Sequence, residues 1–400
     1  MSLRETKRSA VAGTRRGWKI VRERARNAGA LVVVQGAKRW RRLQGLGRRL
    51  DHEVRAFHDT RKRLETYGRE WLVEREIART VAGSGPILVG PWLSEVGYEV
   101  LYWIPFVRWV QAQYGVKAER LIVLTRGGAA TWYGDITTRS VELFDILDPQ
   151  TFATRNASRA EEFGGTFKQW GRTPLDEELL TAAAGRLGLA AYSVLHPSLM
   201  YRLFQQFMLG HRPMSHLLRH TRFRPMARPA RPFADLPDDY VAVKFYTAAS
   251  LPESDEMRRT LQAIVLALAE QLPVVLLDTT LALDDHADYT FERAARVSSI
   301  RDRLTMRDNL AQQTAVIANA RAFVGTCGSL AWIAPMLGVD TTAVLADPRF
   351  LHGHLQVGRQ VYQTLGAGRF SPLDISSLGP LGLTLTAIGS GRAHPSGRTA

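Results

Sequence analysis

Short apolar runs, each about as long as a buried strand, alternate with longer helical stretches through most of this chain. In its first half, Ile87–Val89 is predicted as a strand, a helix is predicted from about Tyr98 to Gln113, and Leu121–Leu124 is predicted as the next strand. A strand, a helix and a strand at this spacing indicate a βαβ unit, which implies a parallel sheet. Residues 135–210 are expected to be largely helical.

The same alternation returns in the second half of the chain. Strands are predicted at Tyr240–Phe245, Val274–Leu277, Ala322–Val324 and Thr342–Leu345, the last being the final strand expected. Helices are predicted between them, at Glu256–Leu272, Leu310–Ala320 and Ser329–Leu337. A second parallel sheet is therefore expected, separate from the first.

The predicted fold class is α/β, with two Rossmann-like domains facing a cleft. A length of 400 residues suits two domains of medium size. Residues 212–239 are basic and broken by prolines, which is typical of an interdomain linker. The predicted parts are a basic helical extension at 1–80, a first domain at 81–211, the linker at 212–239, a second domain at 240–376 and a flexible tail at 377–400.

The positive charge is concentrated in the extension. The chain carries a net charge of +15, and residues 1–80 hold 22 Lys and Arg against 9 Asp and Glu. Basic residues surround Trp18 and Trp40, a pattern that favours binding to an anionic membrane surface. A solvated or disordered arm is the second interpretation, and nucleic-acid binding through backbone phosphates is the least favoured.

Several classes of protein are excluded or disfavoured. The single cysteine, Cys327, excludes an internal disulfide and a Cys-rich zinc module, and is expected to be a small buried residue rather than a nucleophile. No apolar stretch approaches the ~18 residues of a membrane span, and no signal peptide is evident, so a cytoplasmic protein at the membrane periphery is expected. No motif supports a dinucleotide cofactor or a serine hydrolase.

Metal binding is not expected either. The acidic stretch at residues 284–288, DDHAD, has the spacing of no established metal-binding loop. A solvated acidic turn is the preferred interpretation, and contact with a ribose or a sugar is the alternative.

The stretch VGTCGSLAWIAPMLGVD, residues 324–340, is a predicted strand that enters a small-residue turn and leaves as a helix. Backbone N–H groups at such a helix start attract anions. Gly325 and Gly328 permit a close approach of the backbone, and Thr326 and Ser329 add hydroxyl groups. A tight turn that binds nothing is the alternative.

Residues 322–339 resemble the nucleotide-sugar-binding segment of two-Rossmann-domain (GT-B) glycosyltransferases, including bacterial enzymes that build lipopolysaccharide, capsule and other cell-surface glycans. Residues 90–99, together with Arg126-Gly127-Gly128 and Trp132-Tyr133, resemble an uncharacterised bacterial branch of these proteins. The resemblance covers about residues 85–360 and excludes the basic extension. Cys327 departs from the pattern, in which a small or aromatic residue is expected.

The resemblance implies that the second domain binds a nucleotide-sugar donor without a metal or another cofactor. It places Gly325, Thr326, Gly328 and Ser329 against the donor diphosphate. Lys244 ends the first strand of that domain, where its charge is suited to neutralise the departing phosphate, although a rim ion pair is the alternative. Tyr246 and Gln313 complete the predicted donor site.

The first domain is expected to bind a glycan or a lipid-linked acceptor. Glu95, in its first loop, is the candidate catalytic base, with helix capping as its competing role, and Asp135 is a second candidate base. Arg126 is suited to an acidic acceptor or a lipid phosphate, and Trp132 to a sugar ring or to core packing. Gly97 and Tyr98 complete the predicted acceptor site. In the second domain, His354 is a further candidate site residue near the last predicted strand.

The sequence thus predicts a glycosyltransferase. A non-catalytic scaffold of the same fold, binding glycan or anionic lipid, is the alternative. Binding of a nucleoside diphosphate distinguishes the two.

The membrane hypothesis predicts that deletion of residues 1–80 moves the protein from the membrane fraction to the soluble fraction with donor affinity intact. Fractionation followed by nucleotide titration measures both quantities. An unchanged distribution between the fractions contradicts the hypothesis.

Overall fold

The computed structural model describes residues 68–279, 286–292 and 294–376. The predictions for the rest of the basic extension, for Asp284 and Asp285 and for the tail at 377–400 therefore lie outside the described residues. Chain segments from Glu70 onward belong to one unit, which contains both sheets. Among the described residues, no helix is both long and apolar enough to cross a membrane.

The first lobe follows helix α1, which covers residues 68–81. Its strands are β1 (Ile87–Val89), β2 (Leu121–Thr125), β3 (Ser140–Glu142) and β4 (Ser193–Leu195). Its helices are α2 (Val96–Tyr98, Glu99–Trp103 and Ile104–Tyr114 in succession), α3 (Pro149–Glu162), α4 (Pro174–Arg186) and α5 (Pro197–Met208). All strands are parallel, in the order β3-β2-β1-β4, with Val89 opposite both Val123 and Leu195.

The second lobe begins after helix α6 (Met214–Arg219). Its strands are β5 (Val241–Lys244), β6 (Val274–Leu276), β7 (Val297–Ser299), β8 (Ala322–Thr326), β9 (Asp340–Leu345) and β10 (Phe370–Asp374). Its helices are α7 (Asp255–Gln271), α8 (Asn309–Ala318), α9 (Ser329–Ile333, followed by a 3-10 turn at Ala334–Leu337) and α10 (His352–Leu365). Every pairing is again parallel, in the order β10-β9-β8-β5-β6-β7.

Strand order confirms the predicted fold class. When the strands of each lobe are numbered along the chain, the second sheet has the order 6-5-4-1-2-3, which is the Rossmann order read from the other edge. The first sheet has the order 3-2-1-4, which is the beginning of the same arrangement. The chain therefore consists of two Rossmann-like α/β lobes.

The strands that the sequence did not reveal are those without a continuous apolar run. β3, β4, β7 and β10 leave most of their residues partly or fully exposed, whereas the predicted strands β1, β2 and β5 are almost wholly buried. Residues 135–210 consequently contain two strands besides their helices, and β10 replaces Thr342–Leu345 as the last strand. Burial on both faces is what makes a parallel strand recognisable from sequence.

Helix α2 starts earlier than predicted and contains a π-helical turn. The turn at Glu99–Trp103 buries all five of its residues. The helix ends at Gly115, whose φ of 61° is the left-handed conformation common after helix ends.

Helix α1 packs by a different face from the one expected. From the sequence, a helix is predicted over residues 51–80 with Trp71 and Leu72 on its apolar side, but their exposed fractions are 56% and 58%. Val73, Ile77 and Val81, spaced four residues apart, lie in the core instead. A deletion that tests membrane binding should therefore end before residue 70, although the boundary at residue 80 stays a prediction.

The predicted linker is attached to both lobes. The backbone N–H of Arg222 donates to the carbonyl of Pro105 at 2.8 Å, and that of Met226 donates to Met336 at 2.8 Å. These bonds tie the segment to α2 on one side and to the turn after α9 on the other.

The lobes contact each other tightly where the Arg126-Gly127-Gly128 loop meets α8. The Gly127 carbonyl accepts hydrogen bonds from the N–H groups of Leu310 and Ala311, at 2.9 and 3.1 Å. A Cβ added at Gly128, whose φ is 77°, would lie 2.7 Å from the Ala311 Cβ. Glycine at this position thus permits the first lobe to cap the N-terminus of a helix in the second.

Gly128→Ala is expected to destabilise the protein by about 2–4 kcal/mol, because it adds a clash between lobes to the strain of a left-handed alanine. Gly115→Ala is the matched control, since its φ is 61° and no atom lies within 4 Å of an added Cβ. That control should lose only about 1–2 kcal/mol. Urea unfolding measures both variants, and equal losses would show that the contact between lobes contributes nothing.

Candidate functional site

The topology of each sheet creates a crevice. From β5 the chain continues to one side, to β6, whereas from β8 it continues to the other, to β9, and the two strands are neighbours. Ligands of open parallel sheets bind at the carboxyl ends of strands at such a switch point. In the first sheet, β1 and β4 form the equivalent point.

A cavity occupies the crevice of the second lobe and reaches the first. It encloses about 710 Å³, part of it open to solvent. We call it the Lys244 cavity, and its walls are formed by Val96, Arg126, Lys244, Tyr246, Thr279, His286, Asp288, Asn309, Leu310, Gln313, Ser329 and Leu330. The predicted donor residues Lys244, Tyr246, Gln313 and Ser329 are thus brought together.

Lys244 is held by two partners. Its Nζ donates to the carbonyl of Leu277 at 2.9 Å and to Oδ2 of Asp288 at 2.8 Å. The two side chains are only 12% and 11% exposed, so this is a largely desolvated ion pair. Asp288 belongs to the predicted solvated acidic turn, and that prediction was wrong for this residue because its carboxylate is buried against Lys244.

The carboxylate of Asp288 accepts a second hydrogen bond beside Lys244. The Thr279 backbone N–H donates to Oδ2 of Asp288 at 2.6 Å.

A lysine N–H₃⁺ group has three protons. Two of them are accounted for by Leu277 and Asp288 among the described residues, which leaves one for a ligand in the cavity.

Gln313 lines the Lys244 cavity and has a buried side-chain oxygen without a partner among the described residues. Its side chain is 2% exposed, its Nε2 donates to Oδ1 of Asn309 at 3.2 Å, and its Oε1 has no partner in the described part of the chain. The amide orientation follows from Asn309, whose Nδ2 donates to the Met306 carbonyl at 3.0 Å and so leaves Oδ1 for Gln313. An unpaired buried oxygen is costly unless a ligand satisfies it.

Arg126 lines this cavity but is committed to the protein backbone. Its guanidinium donates to the carbonyls of Trp92 and Ser94, at 2.8 and 2.7 Å, and the residue is 6% exposed. It therefore shapes the loop that carries Glu95, in addition to contributing its charge. The predicted role in clasping an acceptor stays a prediction.

The turn after β8 divides into buried and lining residues. Gly325 lies inside β8, and Thr326 is 1% exposed, with Oγ1 bonded to both the N–H and the carbonyl of Tyr246 at 2.9 and 3.0 Å. Neither residue lines the cavities, because both join β8 to β5. This corrects their predicted place against a diphosphate. The residues of the turn that line cavities are Cys327, Gly328 and Ser329.

The same turn contains a residue in a strained backbone conformation. Ser329 has a φ of 28°, which is unusual for a residue other than glycine, and it begins α9. Such strain costs on the order of 1–3 kcal/mol and tends to persist at functional sites. A Cβ added at Gly328 would lie 2.4 Å from the Tyr246 hydroxyl, so only glycine fits there.

A second cavity adjoins the first. It encloses about 700 Å³, and we call it the His354 cavity. It shares Tyr246, His286 and Ser329 with the Lys244 cavity, and its other walls are Glu95, Gly97, Tyr98, Leu101, Tyr102, Ala248, Ala249, Ser250, Cys327, Gly328, Trp332, Leu351 and His354. Glu95, Gly97 and Tyr98 of the predicted acceptor site therefore lie here.

Glu95 occupies the N-cap position of α2, but its side chain makes no capping hydrogen bond. Its competing role as a helix cap is therefore not supported by the structure. Two residues on, Gly97 packs directly on the second lobe. A Cβ added there would lie 3.2 Å from the Ser329 amide nitrogen and 3.3 Å from the Trp332 ring.

His354 lies between two tyrosines from the other lobe. The Tyr102 hydroxyl is 2.5 Å from Nδ1, and the Tyr98 hydroxyl is 3.2 Å from Nε2. Burial, reinforced by the positive charge of Lys168, lowers the pKa of His354 to about 4. The imidazole is therefore neutral at physiological pH. The sequence analysis did not identify Tyr102 as a site residue, although it lies one helical turn after Tyr98.

Two predicted acceptor-side residues lie outside both cavities. Asp135 forms a bidentate ion pair with Arg108, with contacts of 2.9 Å from Nε to Oδ2 and from NH2 to Oδ1. Trp132 is 2% exposed and donates from Nε1 to Oγ1 of Thr314, in the second lobe, at 3.1 Å. The predicted place of Asp135 as a base is corrected, because its carboxylate pairs with Arg108 away from both cavities. For Trp132 the structure favours core packing, the alternative to stacking on a sugar.

Cys327 is buried, as the sequence analysis expected. Cys327 is 2% exposed, and burial raises the pKa of its thiol to about 12, as suits a buried packing residue. In the portion of the chain that the structure covers, no group of three or more metal-ligating side chains is found.

Glu99 is a buried carboxyl group behind the site. It is 1% exposed, and its Oε1 accepts a hydrogen bond from the Tyr133 hydroxyl at 2.7 Å. Desolvation raises the pKa of Glu99 to about 7, against an opposing effect of the Arg126 charge. Folding therefore favours the protonated form.

This shift predicts a pH-dependent stability. Because the pKa of Glu99 is higher in the folded state, its contribution is complete below the unfolded value of 4.5 and is lost as the pH rises through about 7. Between pH 4 and pH 8 the wild type should lose about 3 kcal/mol more than Glu99→Gln. Denaturant unfolding at several pH values measures the difference, with the exposed Glu161→Gln as control. Parallel curves for wild type and Glu99→Gln would contradict the prediction.

No protein-family model matches this chain, and no curated protein matches it by sequence. Solved structures do match it. Glycosyl transferase family 9 from Veillonella parvula is 8% identical, with a TM-score of 0.38 over 76% of this chain and 90% of that one. E. coli heptosyltransferase WaaC with ADP is 15% identical, with a TM-score of 0.36 over 76% and 99%. A putative UDP-N-acetylglucosamine 2-epimerase from Listeria monocytogenes is 8% identical, with a TM-score of 0.30 over 80% and 100%.

These similarities are distant and include proteins with different activities. The assignment of two Rossmann-like lobes rests on the strand order of the sheets themselves.

Proposed function

We propose that this protein is a glycosyltransferase that moves a sugar from a nucleotide-sugar donor to a glycan or lipid-linked acceptor. The observation that carries the proposal is the Lys244 cavity. It lies at the carboxyl edge of a Rossmann-like sheet, and it combines the cation of Lys244 with the unpartnered oxygen of Gln313. A ligand with both negative charge and hydrogen-bond donors satisfies these groups, and a nucleotide-sugar has both.

The diphosphate of the donor is placed at Lys244 and the start of α9. Lys244 has one N–H available beyond its two described partners, and a charge-assisted bond to phosphate is among the stronger hydrogen bonds. Asp288 offsets part of the lysine charge. The pair therefore holds Lys244 in position while the cavity has no anion, at some cost to anion affinity.

Gln313 is placed against a hydroxyl or amino group of the donor. Its Oε1 accepts such a group without competition from a described protein donor. Tyr246 lines both cavities.

Transfer requires one bond to form and one to break. The acceptor oxygen attacks the anomeric carbon of the donor sugar, and the bond from that carbon to the diphosphate oxygen breaks. Glu95 accepts the proton of the acceptor hydroxyl. Lys244 stabilises the negative charge that grows on the diphosphate.

The acceptor is placed on the side of the first lobe, by Glu95, Gly97 and Tyr98. The basic residues of 1–67 are proposed to hold the enzyme at an anionic membrane surface, where lipid-linked acceptors lie. No part of the proposed chemistry requires a metal or another cofactor.

Titration with adenosine, guanosine, uridine, cytidine and thymidine diphosphates tests the donor site. At least one should bind, and Lys244→Met should weaken it about 10- to 100-fold through loss of a charge-assisted bond. Asp288→Asn should strengthen the same binding, because it removes a negative charge beside the phosphate. Lys117→Met, an exposed lysine at the opposite end of β2, controls for net charge and should change little.

Two results would overturn the proposal. If no nucleoside diphosphate binds while glycan or anionic lipid does, the protein is the non-catalytic scaffold. If Lys244→Met and Asp288→Asn both leave nucleotide affinity unchanged, the Lys244 cavity is not the donor site. Mass spectrometry of membrane extract incubated with a panel of nucleotide-sugars then detects transfer directly.

A further inference from the structure

The chain of hydrogen bonds through His354 has a direction that the heavy atoms determine. Tyr102 is 1% exposed, and its only hydrogen-bond partner among the described residues is Nδ1 of His354. A buried hydroxyl that keeps its proton unpaired is costly. Tyr102 therefore donates to Nδ1, which acts as the acceptor.

The other imidazole nitrogen must then carry the proton. A neutral histidine has one donor and one acceptor nitrogen, so an accepting Nδ1 leaves the proton on Nε2. Nε2–H donates to the oxygen of Tyr98 at 3.2 Å. Because that oxygen now accepts from His354, the proton of Tyr98 is not used in this bond.

Tyr98 lines the His354 cavity and has no other described hydrogen-bond partner. We propose that Tyr102 and His354 are positioning residues that fix Tyr98 as a hydrogen-bond donor to an oxygen atom of a sugar in the His354 cavity. This inference rests on the proposed function, and it adds the side-chain chemistry by which the sugar is recognised.

The walls of the cavity suit a carbohydrate. Trp332 and the tyrosines offer aromatic surface for the C–H face of a sugar, while Glu95 accepts hydrogen bonds from its hydroxyl groups. Tyr98 supplies the complementary donor. The ring of Tyr98 is itself fixed, because Lys168 lies 5.1 Å above it and Tyr102 packs at 5.4 Å.

Because His354 stays neutral, its hydrogen bonds with Tyr102 and Tyr98 keep the same direction over a wide pH range. Its imidazole stays neutral above about pH 5, since its pKa is lowered to about 4. The cation that acts on its pKa is Lys168, and the carboxylate among the described walls of the same cavity is Glu95.

The first test is the tautomer of His354 in the full chain labelled with ¹⁵N-histidine. NMR should show the proton on Nε2 and an unprotonated Nδ1 between pH 6 and pH 8. His354→Leu assigns the signals. A proton on Nδ1 would reverse the chain of hydrogen bonds and overturn the proposal, whether or not the protein transfers a sugar.

The second test measures sugar recognition in two arms. The first arm compares the affinity of a nucleotide-sugar with that of its nucleoside diphosphate, which reports a sugar supplied by the donor. The second arm measures methyl glycosides of hexoses by saturation-transfer NMR with saturating nucleoside diphosphate, which reports a sugar supplied by the acceptor. Should no nucleotide bind, the second arm is run without it, so failure of the proposed function is distinguished from failure of this inference.

In at least one of the two arms, Tyr98→Phe and His354→Leu should weaken the contribution of the sugar to binding affinity about 5- to 50-fold. The affinity for the nucleoside diphosphate should be unchanged. His354→Gln, which retains one acceptor and one donor, should recover part of the loss. Sugar binding that is unchanged in Tyr98→Phe overturns the proposal. An equal loss of sugar and diphosphate affinity in Tyr98→Phe also overturns it, because that result indicates a general structural effect.

Discussion

The structure depends on the contact between α2 of the first lobe and α9 of the second. It is possible because Gly97 has no side chain, so the Ser329 amide and the Trp332 ring approach its backbone closely. This contact places Glu95 and Tyr98 of one lobe beside Gly328 and Ser329 of the other. The two cavities lie against this contact and share Ser329, so the packing of α2 on α9 sets part of their shape.

Charge in the site is controlled by neighbours that are themselves buried. Lys244 is neutralised by Asp288, and Arg126 is bonded to the backbone of the loop that carries Glu95. Desolvation raises the pKa of Glu99, beneath that loop, to about 7, so a large share of this carboxyl group is uncharged at neutral pH. These charged groups of the site are thus paired or neutralised by their neighbours. Oε1 of Gln313, in contrast, has no hydrogen-bond partner among the described residues.

The sequence predicted the features that are local and failed on those that depend on distant partners. Continuous apolar strands were recognised, and their carboxyl ends located Lys244, Tyr246 and Ser329 at the cleft, because parallel sheets bind ligands at that edge. Asp135 and Trp132 were misplaced, since their partners are Arg108 and a residue of the other lobe, 182 positions away. The bonds between His354 and two tyrosines, more than 250 positions apart in sequence, have no local signal either.

One apolar core extends through both lobes, from Ile77 in α1 through Trp103 in α2 to Trp332 in α9 and Val361 in α10. Each lobe also has a smaller core of its own, but separating the lobes exposes tryptophan and aliphatic surface to water. Recombination that exchanged one half for a homologous half would have to match both sides of this junction at once. The specificities of the two halves are consequently expected to evolve together, as a single inherited block.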